Sequence, residues 1–263
     1  MNLIVSMHPS KMAARFGISP STLRNYEAKG LIPPAIRAEN GYRGYTEEHE
    51  AYLACIQAMA PAFSIEIVTE VLRLFREDKL DEALWVVKAR ELALYEQKRR
   101  LETLIADLRN EEKDPQQAER NDRLTLQQAS TRVKVPKSAI RYWEKAGLLA
   151  AKRDPANGYR LYGASDLRLM RLLGVLRNTV YSADTVMLRQ AVAQATSDDA
   201  GGQGAMRIAL DAMAHMNKLN QAQMRGVSYL YRLIRTTRPG ILNEIPDWEQ
   251  RLEQRDTERV EPV

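Results

Sequence analysis

Apolar positions along the chain fall into two long heptad series. Leu80, Leu84, Val87, Glu91, Leu94, Lys98, Leu101, Ile105 and Leu108 follow alternating steps of four and three. So do Met206, Leu210, Met213, Asn217, Asn220, Met224, Val227, Tyr231 and Ile234. A 3.5-residue apolar period marks a helix that buries one seam against another helix. The spacing predicts coiled-coil helices over 80–108 and 205–235. Their helix-helix seam is assigned to Leu84, Val87, Leu94, Leu101, Ile105 and Leu108 on one helix and to Leu210, Met213, Met224, Val227 and Tyr231 on the other. Asn217 and Asn220 interrupt the second seam, where polar residues set register and partner choice at a cost in stability. Trp85, Tyr95, Tyr229 and Tyr231 are read as core aromatics rather than as the lining of a ligand pocket.

Shorter amphipathic elements precede each long helix. KMAARF is followed by the turn Gly17-Ile18-Ser19 and then PSTLRNYEAK, which Gly30 ends. Glycine tolerates a left-handed backbone, Ser19 can cap the next helix, and Pro20 suits its first turn. Two short helices joined by such a turn form a helix-turn-helix. LQQASTRV opens a second copy, with Lys134 in place of the glycine and Pro136 in place of the capping serine. Lysine at positive φ costs on the order of 1 kcal/mol, so a differently shaped turn is expected there.

A non-helical stretch comes next in each copy, 31–45 and 148–162, carrying Asn40-Gly41 and Asn157-Gly158. Asn-Gly between apolar or aromatic residues signals a hairpin, so each helix-turn-helix acquires a wing. Alternation along Tyr42-Arg43-Gly44-Tyr45 is read as placing Arg43 opposite the tyrosines. Two further helices follow, capped by Thr46 or Ser165 and by Ser64 or Ser182, with Pro61 interrupting the first of them in copy one.

The copies can be laid side by side. RNYEAKGLIPPAIRAENGYRGY at 24–45 aligns without a gap to RYWEKAGLLAAKRDPANGYRLY at 141–162. The fold expected is mainly α: two winged helix-turn-helix domains, each followed by a long coiled-coil helix. The boundaries are 1–79 and 124–196 for the winged domains, 80–108 and 205–235 for the long helices, 109–123 for a polar linker and 236–263 for a charged tail. SDDAGGQG at 197–204 reads as a loop.

Charge separates the copies. Residues 1–60 hold six Lys/Arg against five Asp/Glu, whereas 122–180 hold twelve against four. Basic modules attract polyanions, which points to the second copy as the stronger nucleic-acid binder. Cys55 is the only cysteine and the three histidines are scattered, so neither a disulfide nor a metal site is expected. No cofactor is expected either. The sequence holds no nucleophile–base pair or glycine-rich phosphate loop, and it is not read as an enzyme. No apolar run suggests a membrane span and no signal peptide is read.

The order helix-turn-helix, Asn-Gly wing, two helices and seam helix resembles the MerR family of bacterial transcription regulators. The residues carrying the resemblance are TLRNYEAKGLIPP…NGYRGYT with FS at 63–64, and AIRYWEKAGLL…NGYRLY with YS at 181–182. It covers about 7–108 and 124–235, and it departs where Asn25 and Gly44 stand opposite Tyr142 and Leu161. The resemblance implies binding to double-stranded DNA by a dimer joined through an antiparallel coiled coil. It also implies promoter distortion with RNA polymerase as the further partner, and a cytoplasmic, nucleoid-associated location. Helix two would enter the major groove with Ser19, Ser21, Thr22, Arg24 and Asn25 in copy one, and with Lys137, Ser138, Arg141 and Tyr142 in copy two. Arg37, Arg43, Arg153 and Arg160 on the wings would meet phosphate, as would the hydroxyls of Tyr45 and Tyr162. Tyr26, Trp143, Tyr42 and Tyr159 are assigned to packing, and Glu27 and Glu144 to internal pairing with arginine. Metal-sensing relatives place cysteines beyond the seam helix, and this chain has none there.

Two copies in one chain suggest an intrachain pseudo-dimer on an asymmetric site, with a homodimer of four modules as the competing arrangement. The linker could span roughly 50 Å when extended, and the first seam helix is roughly 44 Å long. Two other functions stay open: an architectural DNA-bending or recombination/partition accessory protein, and a protein-interaction adaptor with degenerate modules.

Overall fold

The computed structural model describes residues 7–37, 41–113, 123–155, 157–176 and 203–241. Helices dominate, with two small antiparallel sheets. The chain divides into two units: one holds 1–87 and 222–263, the other 88–221.

The first unit opens with α1 (Pro9–Arg15) and α2 (Pro20–Ala28). Gly17 lies between them at φ 61°, and Ser19 caps α2 by accepting the Thr22 N–H at 3.0 Å. Gly30, at φ 70°, ends α2, and its carbonyl accepts from Arg76 at 2.8 Å. The wing is β1 (Ile36–Arg37) against β2 (Arg43–Gly44). Helix α3 (Glu47–Arg76) is broken at Ser64, where φ is 64° and ψ 156°. The helix passes through Pro61, so the interruption falls three residues later than the proline suggests. Its apolar side chains, among them Leu53, Ile56, Met59, Val68 and Phe75, form the core of the unit. By length and composition α3 could cross a membrane, but just over half of that window is buried, as a core helix requires. Cys55 is one of the buried residues; burial pushes its thiol up to about 12.

The second unit repeats the plan. Strand β3 (Leu124–Thr125) leads into α5 (Leu126–Val133), where Thr125 and Gln128 form a reciprocal capping box. Next come α6 (Lys137–Lys145), β4 (Lys152–Arg153), β5 (Arg160–Tyr162) and α7 (Ala164–Leu176). The strand order is β3-β5-β4. The turn before α6 is not reshaped: Lys134 adopts the left-handed conformation itself, at φ 54° and ψ 40°. The strained residue is held because Val135 N–H donates to Ser130 O and Val135 O accepts from Ser130 Oγ at 2.7 Å. Ser182 and the segment after α7 lie outside the described residues, as does most of 197–204.

The long helices are α4 (Leu80–Lys113) and α8 (Gln203–Thr237). Both outrun the lengths expected from the heptads. Arg109–Lys113, expected to be linker, continues α4 because RNEEK favours helix and Glu111 is anchored. Its carboxylate receives Arg168 Nε at 2.7 Å and also Arg171. Burial works against the charge of Glu111, yet those hydrogen bonds hold its pKa below the usual carboxylate value. Each long helix contributes to both units. Ala83 and Val87 of α4 lie in the first core, with Leu230, Leu233 and Ile234 of α8. Leu94, Leu101, Leu104, Ile105 and Leu108 of α4 lie in the second, with Ile208, Ala209, Ala212 and Met216. Beyond α8, Arg238 pairs with Asp78 at 2.7 Å and lies over the Phe75 ring.

The buried stripe of α8 corrects the heptad reading. It runs through Ala209, Ala212, Met216, Gln223, Gly226 and Leu230, one residue ahead of the expected seam. Leu210, Met224 and Tyr231 face solvent, and Met213 and Val227 are half-buried. Alanine and glycine allow close helix approach: a Cβ on Gly226 would lie 3.1 Å from the Phe63 ring and 3.2 Å from Met59 Cα. A pattern weighted by large side chains is blind to that. Trp85 and Tyr95 are likewise exposed rather than core.

Candidate nucleic-acid interface

Each unit presents one polar helix face. On α2, Ser21, Arg24, Asn25 and Ala28 recur at i, i+3, i+4 and i+7 and are exposed, while Leu23 is fully buried. On α6 the equivalent set is Ser138, Arg141, Tyr142 and Lys145, over buried Ile140 and Trp143. Ser19 is exposed, but its hydroxyl is engaged with Ser21 Oγ (2.6 Å) and Thr22 Oγ1 (2.8 Å). This hydroxyl cluster sits at the N-terminus of α2, where the helix dipole favours an anion. Lys137 is exposed at the start of α6, where Pro136 supplies no side-chain cap.

The wings are fastened to these helices by a carboxylate. In the first unit Glu27, on α2, accepts the Ala35 N–H at 3.1 Å and the Tyr45 hydroxyl at 3.5 Å, and lies 3.5 Å from Arg43. In the second, Glu144 accepts the Tyr162 hydroxyl at 2.9 Å and pairs with Arg160 at 3.3 Å. Tyr45 and Tyr162 are completely buried. Burial first, and the neighbouring glutamate second, raise both phenol pKa values. Their hydroxyls are therefore committed inward rather than available to phosphate, correcting the role inferred for them from sequence. The side chains left on the surface are Tyr42 and Tyr159, 65% and 68% exposed, rather than packed as the sequence suggests. A period of two separates residues three apart onto opposite faces. Tyr45 thus shares a face with Arg43, and Tyr42 points away.

Arg37 and Arg153 are exposed and reach across the hairpin to the carbonyls of Gly41 and Gly158 at 3.4 and 3.3 Å. They occupy matching ladder positions, Arg37 opposite Arg43 and Arg153 opposite Arg160. The two pairs are six and seven residues apart in sequence. The gapless alignment of the copies thus conceals a one-residue shift inside the wing. Lys145 and Lys152 are further exposed cations on the second unit that were not singled out from sequence. Among the described residues no group of histidine, cysteine and carboxylate side chains could hold a metal ion.

A short helix with an exposed polar face, seated on a helix-turn-helix core and flanked by a two-stranded wing bearing arginines, defines the winged helix-turn-helix class. The MerR family regulatory protein model matches residues 9–45 and again 125–162. Two stretches of the chain, one in each unit, thus match the model of that family in tandem. The HTH-type transcriptional regulator CueR of Salmonella typhi is 38% identical over 74 residues, which are 28% of this chain and 54% of that protein. AdhR of Bacillus subtilis, also an HTH-type transcriptional regulator, is 38% identical over 96 residues, 36% of this chain and 65% of that protein. CueR of Vibrio cholerae is 31% identical over 86 residues, 32% of this chain and 62% of that protein. The chain thus spans between about half and two-thirds of the length of these relatives. No solved structure matches it.

Proposed function

We propose that the chain is a sequence-specific DNA-binding transcription regulator that docks both modules on one duplex as an intrachain pseudo-dimer and distorts it. The observation that carries this reading is the reciprocal sharing of the long helices. Residues 88–113 of α4, which follows the first module, help to form the second core, and 222–237 of α8, which follows the second module, help to form the first. In the family resemblance two chains are joined through an antiparallel coiled coil, whereas here one chain supplies both long helices. The exposed faces of α2 and α6 fit the major groove, where arginine reads guanine or pins phosphate and Asn25 can read adenine. Arg37, Arg43, Arg153 and Arg160 meet the flanking backbone.

Two unlike helices in one chain read an asymmetric site, because operator symmetry mirrors protein symmetry. The test is selection of bound sites from a randomised duplex library at physiological salt. An enriched asymmetric motif bound by one chain is the expected result. A palindrome occupied by two chains through one kind of module would refute the pseudo-dimer, and no enrichment at all would refute sequence-specific regulation. Transcription from the bound site separates a regulator from an architectural DNA-bending protein.

A further inference from the structure

In the first unit, the segment that joins α2 to its wing is gripped from three places. It runs from Gly30, which ends α2, to Ala35, one residue before β1. From α2 itself, Glu27 Oε1 accepts the Ala35 N–H at 3.1 Å. From the start of α3, His49 Nε2 lies 3.3 Å from Pro34 O. From the far end of α3, Arg76 Nη1 donates to Gly30 O at 2.8 Å and to Ile32 O at 3.4 Å. The approach is close, since a Cβ on Gly30 would stand 3.1 Å from that nitrogen. The guanidinium does two things there. Its charge sits against carbonyls just beyond the end of α2, where the helix dipole favours a cation. It also bridges the first and third residues of a segment that Pro33 and Pro34 stiffen by fixing φ. Fixing the start of a stiff segment fixes the direction of the strand that follows. Arg76 is itself held in place. Phe75 beside it is fully buried and lies beneath the Arg238 guanidinium, which pairs with Asp78 two residues on.

We propose that Arg76 is a positioning residue: it touches no DNA itself and sets the angle between α2 and the first wing. Arg37 and Arg43 are thereby aimed at the backbone flanking the half-site that α2 reads. The inference rests on the DNA-binding reading above and deepens it. Counting from the matched Ser64 and Ser182, the second copy has Gln194 at this place in the sequence, outside the described residues. A neutral amide has no charge to set against such carbonyls. The stretch with few cations is thus the one whose wing arginines are aimed in advance. Pre-organisation of that kind lowers the cost of binding and offsets part of what low charge lacks.

Two variants of the full chain test this. Arg76→Met removes the charge and the donors from a long side chain, and Arg76→Lys keeps the charge. Each is measured on the duplex selected above and, without DNA, by amide hydrogen exchange. Arg76→Met should bind about tenfold more weakly, and the slope of log Kd against log salt should fall by about one to two units as Arg37 and Arg43 leave their phosphates. Hydroxyl-radical protection of the backbone flanking the first half-site should disappear, while protection at the second half-site stays. Arg76→Lys should restore most of both. In the free chain, the amides of Ala35–Arg37 and Arg43–Tyr45 should exchange about tenfold faster in Arg76→Met, with those of α3 unchanged. An unchanged salt slope and flanking footprint overturn the proposal. So does a slope lowered by about one unit with that footprint intact, which would make Arg76 a phosphate contact. Faster exchange throughout the first unit would reduce Arg76 to a stabilising contact and overturns it too. If the unaltered chain binds no duplex, the DNA-binding reading fails and exchange alone decides. Faster exchange confined to the wing then upholds Arg76 as the residue that positions it, and unchanged exchange overturns that.

Discussion

Gly226 offers a direct check that α8 completes the first unit, because two effects of known size oppose each other there. Alanine in place of glycine inside a helix is worth about 1 kcal/mol in propensity. Against that, the new Cβ would stand 3.1 Å from Phe63 Cε2 and 3.2 Å from both Met59 Cα and Cγ, where carbon atoms prefer roughly 3.5–4.0 Å. The ring of Phe63 can tilt, but Met59 Cα is backbone inside α3, and Met59 itself is fully buried. Overpacking of this kind costs about 1–3 kcal/mol, so the steric penalty matches or exceeds the gain. Gly226→Ala should be neutral to destabilising by about 2 kcal/mol. Gly226→Val, with two more methyl groups and poorer propensity, should cost at least about 2 kcal/mol. Ala214→Gly, at an exposed position of the same helix, calibrates propensity alone and should lose about 1 kcal/mol. Urea unfolding followed by far-UV circular dichroism measures all three. A Gly226→Ala variant stabilised by as much as Ala214→Gly is destabilised would show that α8 does not press on α3, and the pseudo-dimer reading would lose its support.

His49 makes the first unit acid-sensitive. Its Nδ1 accepts the Thr46 N–H at 3.1 Å, its Nε2 lies 3.3 Å from Pro34 O, and burial holds its pKa below the usual histidine value. The unfolded chain takes up that proton first, so the stability is fully present above about pH 6.5 and is lost as pH falls toward the depressed folded value. The second copy has Asp166 there, accepting the Gly163 N–H at 2.8 Å, with a pKa raised mainly by burial. Its contribution has the opposite sign, greatest below about pH 3.9 and lost as pH rises through the folded value. His49→Asp should therefore abolish the loss of stability just below pH 6.5, and a chain still weakened there would refute the assignment. Lys134→Gly should stabilise the second unit by on the order of 0.5 kcal/mol, as relief of left-handed strain slightly outweighs the added entropy of the unfolded chain; thermal melts would read it, and a lower Tm would contradict it. Converting the exposed face of α2 to that of α6 by Asn25→Tyr with Ala28→Lys should drive the selected DNA motif toward a palindrome, and an unchanged motif would mean that these positions do not read bases.

What could be read from the sequence, and what could not, divides by the range of the interaction. Gly17, Ser19-Pro20, Gly30 and the Asn-Gly pairs act within a few residues of themselves, so the helix-turn-helix and wing follow from local rules. Phase along α8 is different. The buried stripe is defined by how closely the helix approaches Met59 and Phe63 of α3, more than 150 residues away. At that distance a glycine is worth more than a methionine, and hydrophobicity alone points to the wrong side. The tyrosines of the wing fail for a third reason. Tyr42 and Tyr45 look alike in sequence, but strand alternation and the carboxylate of Glu27 separate them, one to solvent and one to the core. No local signal announces which tyrosine a half-buried glutamate will claim.

Under the proposed function, the difference between the exposed faces of α2 and α6 has a consequence that a symmetric dimer lacks. Two identical modules bind a palindrome equally well in either orientation, so the protein does not know which way along the duplex it points. Here one face offers Asn25 and Ala28 where the other offers Tyr142 and Lys145. A well-placed bidentate contact discriminates against the wrong base by about 1–3 kcal/mol, so exchanging the half-sites costs a factor of roughly 10 or more at each such position. Under the proposed function the chain is therefore seated in one direction. The weakly basic stretch 1–60 and the strongly basic stretch 122–180 always meet the same ends of the site. Any partner that approaches from one side of that site then meets one defined face of the protein, which a symmetric operator could not arrange.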